Sequence, residues 1–189
     1  MKVKEILKNV CVYLGKEELL ESNFFEDGGE ELTDLQQKEL EKMKKCLELI
    51  TSEIASDYLP IYKQKSVTLK NGEINVFEID ENIMEIVSIK NKFGKNIKFK
   101  LIGDKVIAMA TNIVVTYKIH FGELQLDGDA ESFGGRLSAR VLGYGTASEY
   151  SYQEMLYDDA SIWENRFKNA LLIACRKKGE LKLKERGWM

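Results

Sequence analysis

The sequence predicts an α+β fold: a bundle of about four helices, an inserted antiparallel β-sheet shaped as a small sandwich or barrel, and a C-terminal strand-like arm. Three observations predict it. Apolar residues recur at helical spacing near both ends of the chain. The middle is rich in β-branched and aromatic residues separated by turn signals. The last residues alternate apolar with charged side chains. The expected domains are a helical bundle (1–60 and 133–179), a β domain (61–124) and an arm (180–189).

Length and composition favour a globular protein. The chain has 189 residues, enough for one domain or one domain with a sizeable insertion. With 44% hydrophobic and 31% charged residues, a chain of this size can bury roughly 70% of its unfolded surface. The net charge of -3 argues against a polycation that selects nucleic acid by bulk charge. We expect no membrane segment, because the longest uncharged apolar run, VIAMATNIVVTY, is too short to span a bilayer. We also expect no signal peptide, because Lys8 interrupts the apolar N-terminal stretch.

Two helices are predicted before the sheet. The first ends at Gly15, and its apolar positions are Val3, Ile6, Leu7, Val10 and Leu14. The acidic, glycine-bearing stretch 16–31 predicts a loop. A second helix begins at Thr33, where Thr33 and Gln36 have capping-box spacing, and ends before Pro60. Its narrow apolar seam suits packing against another helix and consists of Leu40, Met43, Leu47, Ile50 and Ile54.

Five or six antiparallel strands are predicted between Lys63 and Phe121. Asn71-Gly72 is the strongest hairpin signal and predicts a hairpin within SVTLKNGEINVFEI. Four further runs follow between turn residues: IMEIVSIKN, NIKFKLIG, KVIAMA and NIVVTYKIHF. The glycine-rich stretch 122–135 then predicts a flexible connection.

Two helices follow the sheet. One runs from about Arg136 to Glu154, and its Gly143 and Gly145 indicate close helix packing or a bend. Its apolar stripe comprises Leu137, Val141, Tyr144 and Ser148. The final helix begins near Asp158 and ends at Gly179, with terminal charges that complement the helix dipole. Its apolar stripe comprises Ala160, Trp163, Phe167, Ala170, Leu171 and Ala174, and Glu164 and Lys168 are spaced to form an exposed ion pair.

The sequence offers little catalytic chemistry, and we expect no enzyme activity, no metal and no cofactor. The single histidine, His120, is interpreted as a structural histidine, since no serine or cysteine nucleophile accompanies it in a recognisable motif. Cys11, Cys46 and Cys175 are expected as buried free thiols of a protein made in a reducing compartment. A distant alternative is a hydrolase that uses His120 with an acidic group, namely Glu149, Glu154, Asp158 and Asp159.

The C-terminal segment is basic and leaves three interpretations open: a solvated tail, a phosphate-binding tail, or an arm that adds to a neighbour's sheet edge. It carries six positive charges against two negative ones: Arg176, Lys177, Lys178, Lys182, Lys184 and Arg186 against Glu180 and Glu185. In the third interpretation Trp188 fills a pocket of the partner. The predicted partner-binding residues are Leu181, Lys182, Leu183, Lys184, Arg186 and Trp188. The predicted bundle core contains Trp163, Phe167, Leu171, Tyr144, Leu47 and Ile50.

The C-terminal third resembles a known family. The run VLGYGTASEYSYQEMLYDDASIWENRFKNAL, followed by a basic segment and KERGWM, resembles the head–tail adaptor (connector) proteins of tailed bacteriophages and prophages. The resemblance covers residues 137–189 and is carried by Tyr144, Gly145, Ala147, Glu149, Tyr150, Tyr157, Ala160, Trp163, Arg166, Phe167 and Ala170, with the arm from Lys182 to Trp188. The family's arm often ends in consecutive arginines before the tryptophan, whereas this chain has Arg186-Gly187-Trp188.

The resemblance implies a structural protein of the virion neck, made in the bacterial host cytoplasm. Such a protein has a helical bundle with a β-rich insertion and assembles as a homo-oligomeric ring, usually of twelve copies. The ring would bind the portal protein on one face and the next neck or tail component on the other. DNA would pass through its lumen without sequence-specific binding. The alternative function is a nucleic-acid-binding module that uses the basic C-terminal tail.

Overall fold

The computed structural model describes residues 1–22, 24–25, 32–131 and 133–176, and these form an α+β fold. The described residues contain six α-helices and two small antiparallel sheets, so the predicted α+β class is confirmed. The helices are α1 (Val3–Leu14), α2 (Glu17–Glu21), α3 (Asp34–Glu53), α4 (Val76–Ile79), α5 (Ala139–Gln153) and α6 (Tyr157–Cys175). The strands are β1 (Tyr62–Thr68), β2 (Glu73–Asn75), β3 (Ile83–Asn91), β4 (Phe99–Ile102), β5 (Lys105–Ala108) and β6 (Asn112–Ile119). The predicted helix end at Gly179 is wrong, because α6 ends at Cys175 and Arg176 already has a non-helical ψ of 118°. The predicted arm lies outside the described residues.

The first two predicted helices form as their end signals indicate. Gly15 adopts a left-handed φ of 64°, and the Lys16 N–H donates to the Cys11 carbonyl at 2.9 Å, which ends α1. The capping box at the start of α3 is present, since Gln36 N–H donates to Thr33 Oγ1 while Thr33 N–H donates to the Gln36 side chain. All five residues of the predicted seam are buried. A π-helical turn, Ile54–Tyr58, then leads to Pro60.

The loop predicted over 16–31 is wrong in its first part. Residues Glu17–Glu21 form the short helix α2, because Leu19 is buried in the same apolar cluster as α1 and α3. The prediction failed because the acidic composition of this stretch conceals the buried position of Leu19.

The strands form two three-stranded sheets with the orders β1-β6-β3 and β2-β5-β4. Asn71 and Gly72 make the predicted tight turn with φ of 55° and 81°. The predicted hairpin is nevertheless wrong beyond the turn, because its two runs pair only at Lys70 and Glu73 and then enter different sheets. The run Val76–Ile79 is helical rather than extended, since Asn75 Oδ1 accepts from Phe77 N–H at 2.9 Å and caps α4.

Two buried apolar clusters divide the fold. One joins α1, α3, α5 and α6. The other joins both sheets and α4. The stretch 122–135, which the sequence predicts to be a flexible connection, packs on the helical cluster. Leu124, Ala130 and Phe133 are buried there, and Ala130 N–H donates to the Met1 carbonyl at 2.7 Å. The exact domain boundaries stay a prediction.

Helix α5 lies at the centre of the helical cluster, and every residue from Leu142 to Ser148 is buried. The predicted single stripe is therefore too narrow, because α1, α3 and α6 cover this helix from several directions. The glycines allow the close approach. A Cβ on Gly145 would lie 2.8 Å from Ile50 Cγ2 and 3.1 Å from two ring carbons of Phe167, and one on Gly143 would lie 3.0 Å from Tyr13 Cε2. Close packing is the interpretation that the structure supports for both glycines.

Gly145→Ala should destabilise the protein, although alanine is the better helix former by about 1 kcal/mol. The added methyl overpacks a site between two side chains, which typically costs about 1–3 kcal/mol, so we expect a net loss of about 1 kcal/mol in urea denaturation. Gly122→Ala is the control, because nothing lies within 4 Å of its Cβ position. The loss should shrink in an Ile50→Leu background, which lacks the Cγ2 methyl. An unchanged or increased stability of the single variant would contradict this packing account.

Candidate assembly surface

The side chains that could take part in catalysis or metal binding are scattered over the described part of the chain. No three His, Cys, Asp or Glu side chains of these residues group closely enough to hold a metal ion. His120 follows β6, its side chain is exposed, and its backbone N–H donates to the Asn82 carbonyl at 2.8 Å. It therefore lies outside the packed core. Of the four predicted acidic residues, Glu154 pairs with Lys42, and Asp158 and Asp159 stand in the first turn of α6.

The three cysteines are free thiols, as predicted. Burial raises the pKa of the Cys11 and Cys46 thiols to about 12. They are therefore protonated and poorly nucleophilic at neutral pH. Cys175 is only half-buried, so the prediction of burial is wrong for this residue, which sits in the last turn of α6.

A polar contact ties the end of α1 to α3 and α5. Lys16 Nζ lies 2.5 Å from Glu39 Oε1 and donates to Tyr150 Oη at 2.9 Å, and Tyr150 Oη donates to Glu39. Burial alone would raise the pKa of Glu39, but the hydrogen bonds from Lys16 and Tyr150 outweigh it and hold this pKa below its ordinary value. The same contacts raise the pKa of Lys16 against the effect of burial. The three groups therefore form an ionised, hydrogen-bonded unit at neutral pH.

An aromatic stack ties α1 and α5 to α6. The ring centroids of Tyr13 and Tyr144 lie 5.0 Å and 5.7 Å from that of Trp163, with interplanar angles of 26° and 22°. The guanidinium of Arg166 lies 4.8 Å from the Trp163 ring centroid and covers the stack. Burial, followed by the neighbouring Tyr144, raises the pKa of Tyr13. Trp163 is thus held by contacts within its own chain, and it cannot serve as a free anchor for a partner.

The predicted site residues separate into two groups. Leu47, Ile50, Tyr144, Phe167 and Leu171 are buried in the helical cluster, and Trp163 packs against it half-buried. The predicted partner-binding residues lie outside the described residues: Leu181, Lys182, Leu183, Lys184, Arg186 and Trp188.

Sequence reasoning missed an apolar surface on the other side of α6, which we call the α6 outer face. It consists of large apolar side chains that are each half or more exposed: Met155, Leu156, Tyr157, Ile162, Leu172 and Ile173. Ile162 and Ile173 are eleven positions apart, close to three helical turns, so they share one side of the helix. The exposed polar residues Asn165, Arg166 and Asn169 lie between them, so the face has an apolar group at each end of α6. This spacing was visible in the sequence, but the stronger inward stripe of the same helix concealed it.

A groove continues this surface at the end of α6. It has a volume of about 350 Å³ and lies between the start of α5 and the end of α6. Its lining includes Leu137, Val141, Ala170, Ile173 and Ala174. Ile173 belongs both to this groove and to the α6 outer face, so the two apolar features are continuous. This arrangement suits protein–protein contact rather than chemistry on a small substrate.

Comparison with known protein families and with curated proteins found no match for this chain. No helix in the described ranges is both long and apolar enough to cross a membrane.

Glu39→Gln should lower the free energy of unfolding at pH 7 by roughly 1–2 kcal/mol, because it removes the charged acceptor of two hydrogen bonds. The folded-state pKa of Glu39 lies below its ordinary value. Its stabilisation is therefore present above about pH 4.3 and is lost as the pH falls through the lower, folded-state pKa. Urea denaturation at pH 7 and pH 3.5 should show a smaller pH dependence for the variant than for the wild type.

Glu41→Gln is the matched control, because Glu41 lies on the same helix and forms only a surface pair with Lys44. It should cost less than about 0.5 kcal/mol. Equal losses for the Glu39 and Glu41 variants, or identical pH dependence of all three proteins, would contradict the role of the Lys16–Glu39–Tyr150 contact.

Proposed function

We propose that this chain is a structural subunit of the head–tail connector of a tailed bacteriophage or prophage. It would form a ring in the virion neck that joins the portal protein to the next neck or tail component and lets DNA pass. In finer detail, we propose that the helical part is a four-helix bundle and that the two sheets form a sandwich-like insertion. The ring would contain twelve copies, as the resemblance to the connector family implies.

The observation that carries the proposal is the α6 outer face. Six large apolar side chains are half or more exposed along one helix and the turn before it. A patch of this kind is usually an interaction surface in a soluble protein. In a ring, each copy presents the same surfaces to its neighbours, so one apolar face per subunit is covered around the whole circle. The expected occupant of the α6 outer face is therefore a second copy of this chain.

The positions that carry the family resemblance support the proposal in a second way. Tyr144, Gly145 and Tyr150 are buried on α5, and Ala160 and Phe167 are buried on α6. In this fold the described residues that carry the resemblance determine how α5 and α6 pack against each other, and they do not form a reactive centre. A motif of packing residues is what a family of structural subunits would share.

The arm is assigned to the portal or a neighbouring subunit by its sequence pattern. Leu181 and Leu183 alternate with Lys182 and Lys184, which is the period of a strand. An added strand obtains affinity from main-chain hydrogen bonds, and Trp188 would supply a pocket anchor. A phosphate-binding role for this tail stays the alternative prediction.

Deleting residues 180–189 should leave the helical cluster folded and abolish binding to the portal, because the arm would carry the main contact. Thermal denaturation measures the first outcome, and co-sedimentation with portal rings measures the second. A truncated protein that still co-sediments like the full chain would contradict the assignment of the arm.

Trp188→Ala should weaken portal binding by about 2 kcal/mol or more if this side chain fills a pocket. Glu185→Ala is the control in the same segment. It should change binding little, because acidic residues contribute to interface affinity far less often than tryptophan does. Equal effects of the two substitutions in a titration with portal rings would argue against a tryptophan anchor.

Replacing Ile162 and Leu172 together with Gln should leave stability within about 0.5 kcal/mol per site, because both side chains are exposed. Ring formation on the portal should be lost, because the α6 outer face would become polar. The matched control replaces Leu35 and Leu49 with Gln, since these are exposed leucines of α3. Mass photometry measures the number of subunits in each assembly. Rings of normal size formed by the α6 variant would contradict the proposed interface.

A further inference from the structure

Three turns meet at one end of the β domain. The end of β1 and the end of β3 both pair with the start of β6, since Thr68 faces Asn112 and Asn91 faces Ile113. The turn between β1 and β2 joins the turn between β5 and β6, because Ala108 N–H donates to the Gly72 carbonyl at 3.0 Å. The β3–β4 turn follows Asn91 directly. We call this set of turns the distal end, because the helical part connects at the opposite end of β1.

The distal end carries a surplus of positive charge. Its turns and the strand ends beside them hold six lysines: Lys70, Lys90, Lys92, Lys95, Lys98 and Lys100. No Asp or Glu occurs in the sequence between Glu85 and Asp104. None of the six lysines forms an ion pair with a carboxylate of the described residues.

Other lysines of the same domain are neutralised. Lys63 lies 3.6 Å from Asp80, Lys105 lies 3.0 Å from Glu73, and Lys118 lies 2.5 Å from Glu85. Six of the seven lysines without a carboxylate partner among the described residues gather at the distal end. The seventh, Lys65, donates to the Ile79 carbonyl at 2.5 Å. Residues 61–121 hold ten lysines and six carboxylates, for a net charge of +4 within a chain whose total is -3.

The unpaired lysines border grooves rather than a flat surface. A groove of about 880 Å³ is lined by Lys98 and Lys100 and by the turn residues Asn71, Gly72 and Thr111. Its apolar lining consists of Phe99, Ile107, Ala108, Met109 and Ala110. A smaller groove of about 250 Å³ is lined by Lys92 and residues of β1 and β6. Lys98 and Lys100 are two residues apart in sequence, which is about 6.6 Å in an extended chain. Their ammonium groups can therefore contact successive negative charges of a linear polyanion.

We propose that the distal end binds the phosphate backbone of nucleic acid without reading its sequence. Lysine ammonium groups act as compact point charges toward phosphate, and the Asn and Thr residues of the turns are typical contacts to phosphate and sugar. No arginine occurs before Arg136, so the distal end lacks the side chain that most commonly reads guanine. Phe93, which is 81% exposed at the tip of the β3–β4 turn, supplies a face for stacking on an exposed base.

The same features favour nucleic acid over an anionic membrane. Membrane binding strengthens with the apolar area inserted, and the exposed large apolar residues of the described turns and adjoining strand ends are few: Phe93, Ile107 and Met109. The surrounding Asn and Thr side chains would lose water on insertion. The inference does not rest on the proposed connector function, because it derives from the charges and grooves of the β domain alone.

Fluorescence anisotropy of the full chain with a labelled 30-base-pair duplex of mixed sequence tests the proposal. Four phosphate contacts predict a slope of log affinity against log salt of about -3.6, which is roughly a 150-fold loss between 50 and 200 mM salt. The triple variant Lys92→Gln, Lys95→Gln, Lys98→Gln should reduce this slope by about 2.7 and weaken binding at 50 mM salt about tenfold or more. All three side chains are exposed, so the variant should unfold at the wild-type temperature.

Two further triple variants serve as controls. Lys63→Gln, Lys105→Gln, Lys118→Gln makes the same change in net charge at the paired lysines and should alter affinity by less than about threefold. Lys182→Gln, Lys184→Gln, Arg186→Gln measures what the C-terminal tail contributes. Absence of binding at 50 mM salt, equal losses in the distal-end and paired-lysine variants, or a loss confined to the tail variant would each overturn the proposal. Binding to phosphatidylserine vesicles without binding to the duplex would assign the surface to membranes instead.

Discussion

The close approach of α3 and α6 to the backbone of α5 at Gly145 is the constraint on which the helical half depends. The Ile50 side chain and the Phe167 ring occupy the space in which any other residue would place its Cβ. This contact sets the separation of three helices at once, and Gly143 sets the approach of α1 through Tyr13. The polar contact of Lys16, Glu39 and Tyr150 and the aromatic stack around Trp163 then fix the same helices on either side of α5. The buried core and these two contacts use the inner side of α6, which leaves its outer side without a partner among the described residues.

The fold therefore presents two surfaces of opposite character. The α6 outer face is apolar and suits contact with another protein surface. The distal end of the β domain is basic. Within the part of the chain that the structure describes, its lysines have no carboxylate partners of the kind that neutralise Lys63, Lys105 and Lys118. The two surfaces belong to different apolar clusters, so substitutions in one should leave the other folded. Both surfaces would be used by a subunit of the proposed ring, which would contact its copies through the helices and nucleic acid through the β domain.

Much of the fold could be predicted from the sequence because the relevant signals are local. Apolar spacing located α1, α3 and α6, the Thr33–Gln36 box located the start of α3, and Asn71-Gly72 located a turn. The prediction of strand pairing failed because the partners of β1 and β2 are distant in sequence, and no local sequence signal identifies them. The all-round burial of α5 was missed because it depends on how many helices pack around it. The basic run from Lys90 to Lys100 was visible in the sequence, but only the sheet register brings it beside Lys70 and Thr111. The arm, which the sequence singled out as the partner-binding segment, lies outside the described residues, so its role rests on its sequence pattern.

Electron microscopy of the purified protein mixed with a cognate portal protein is the most direct measurement of the proposed connector role. The account predicts a ring of this chain stacked coaxially on one face of the portal, with α6 at the contacts between neighbouring copies. Portal rings that remain bare at saturating concentrations of a folded protein would contradict it.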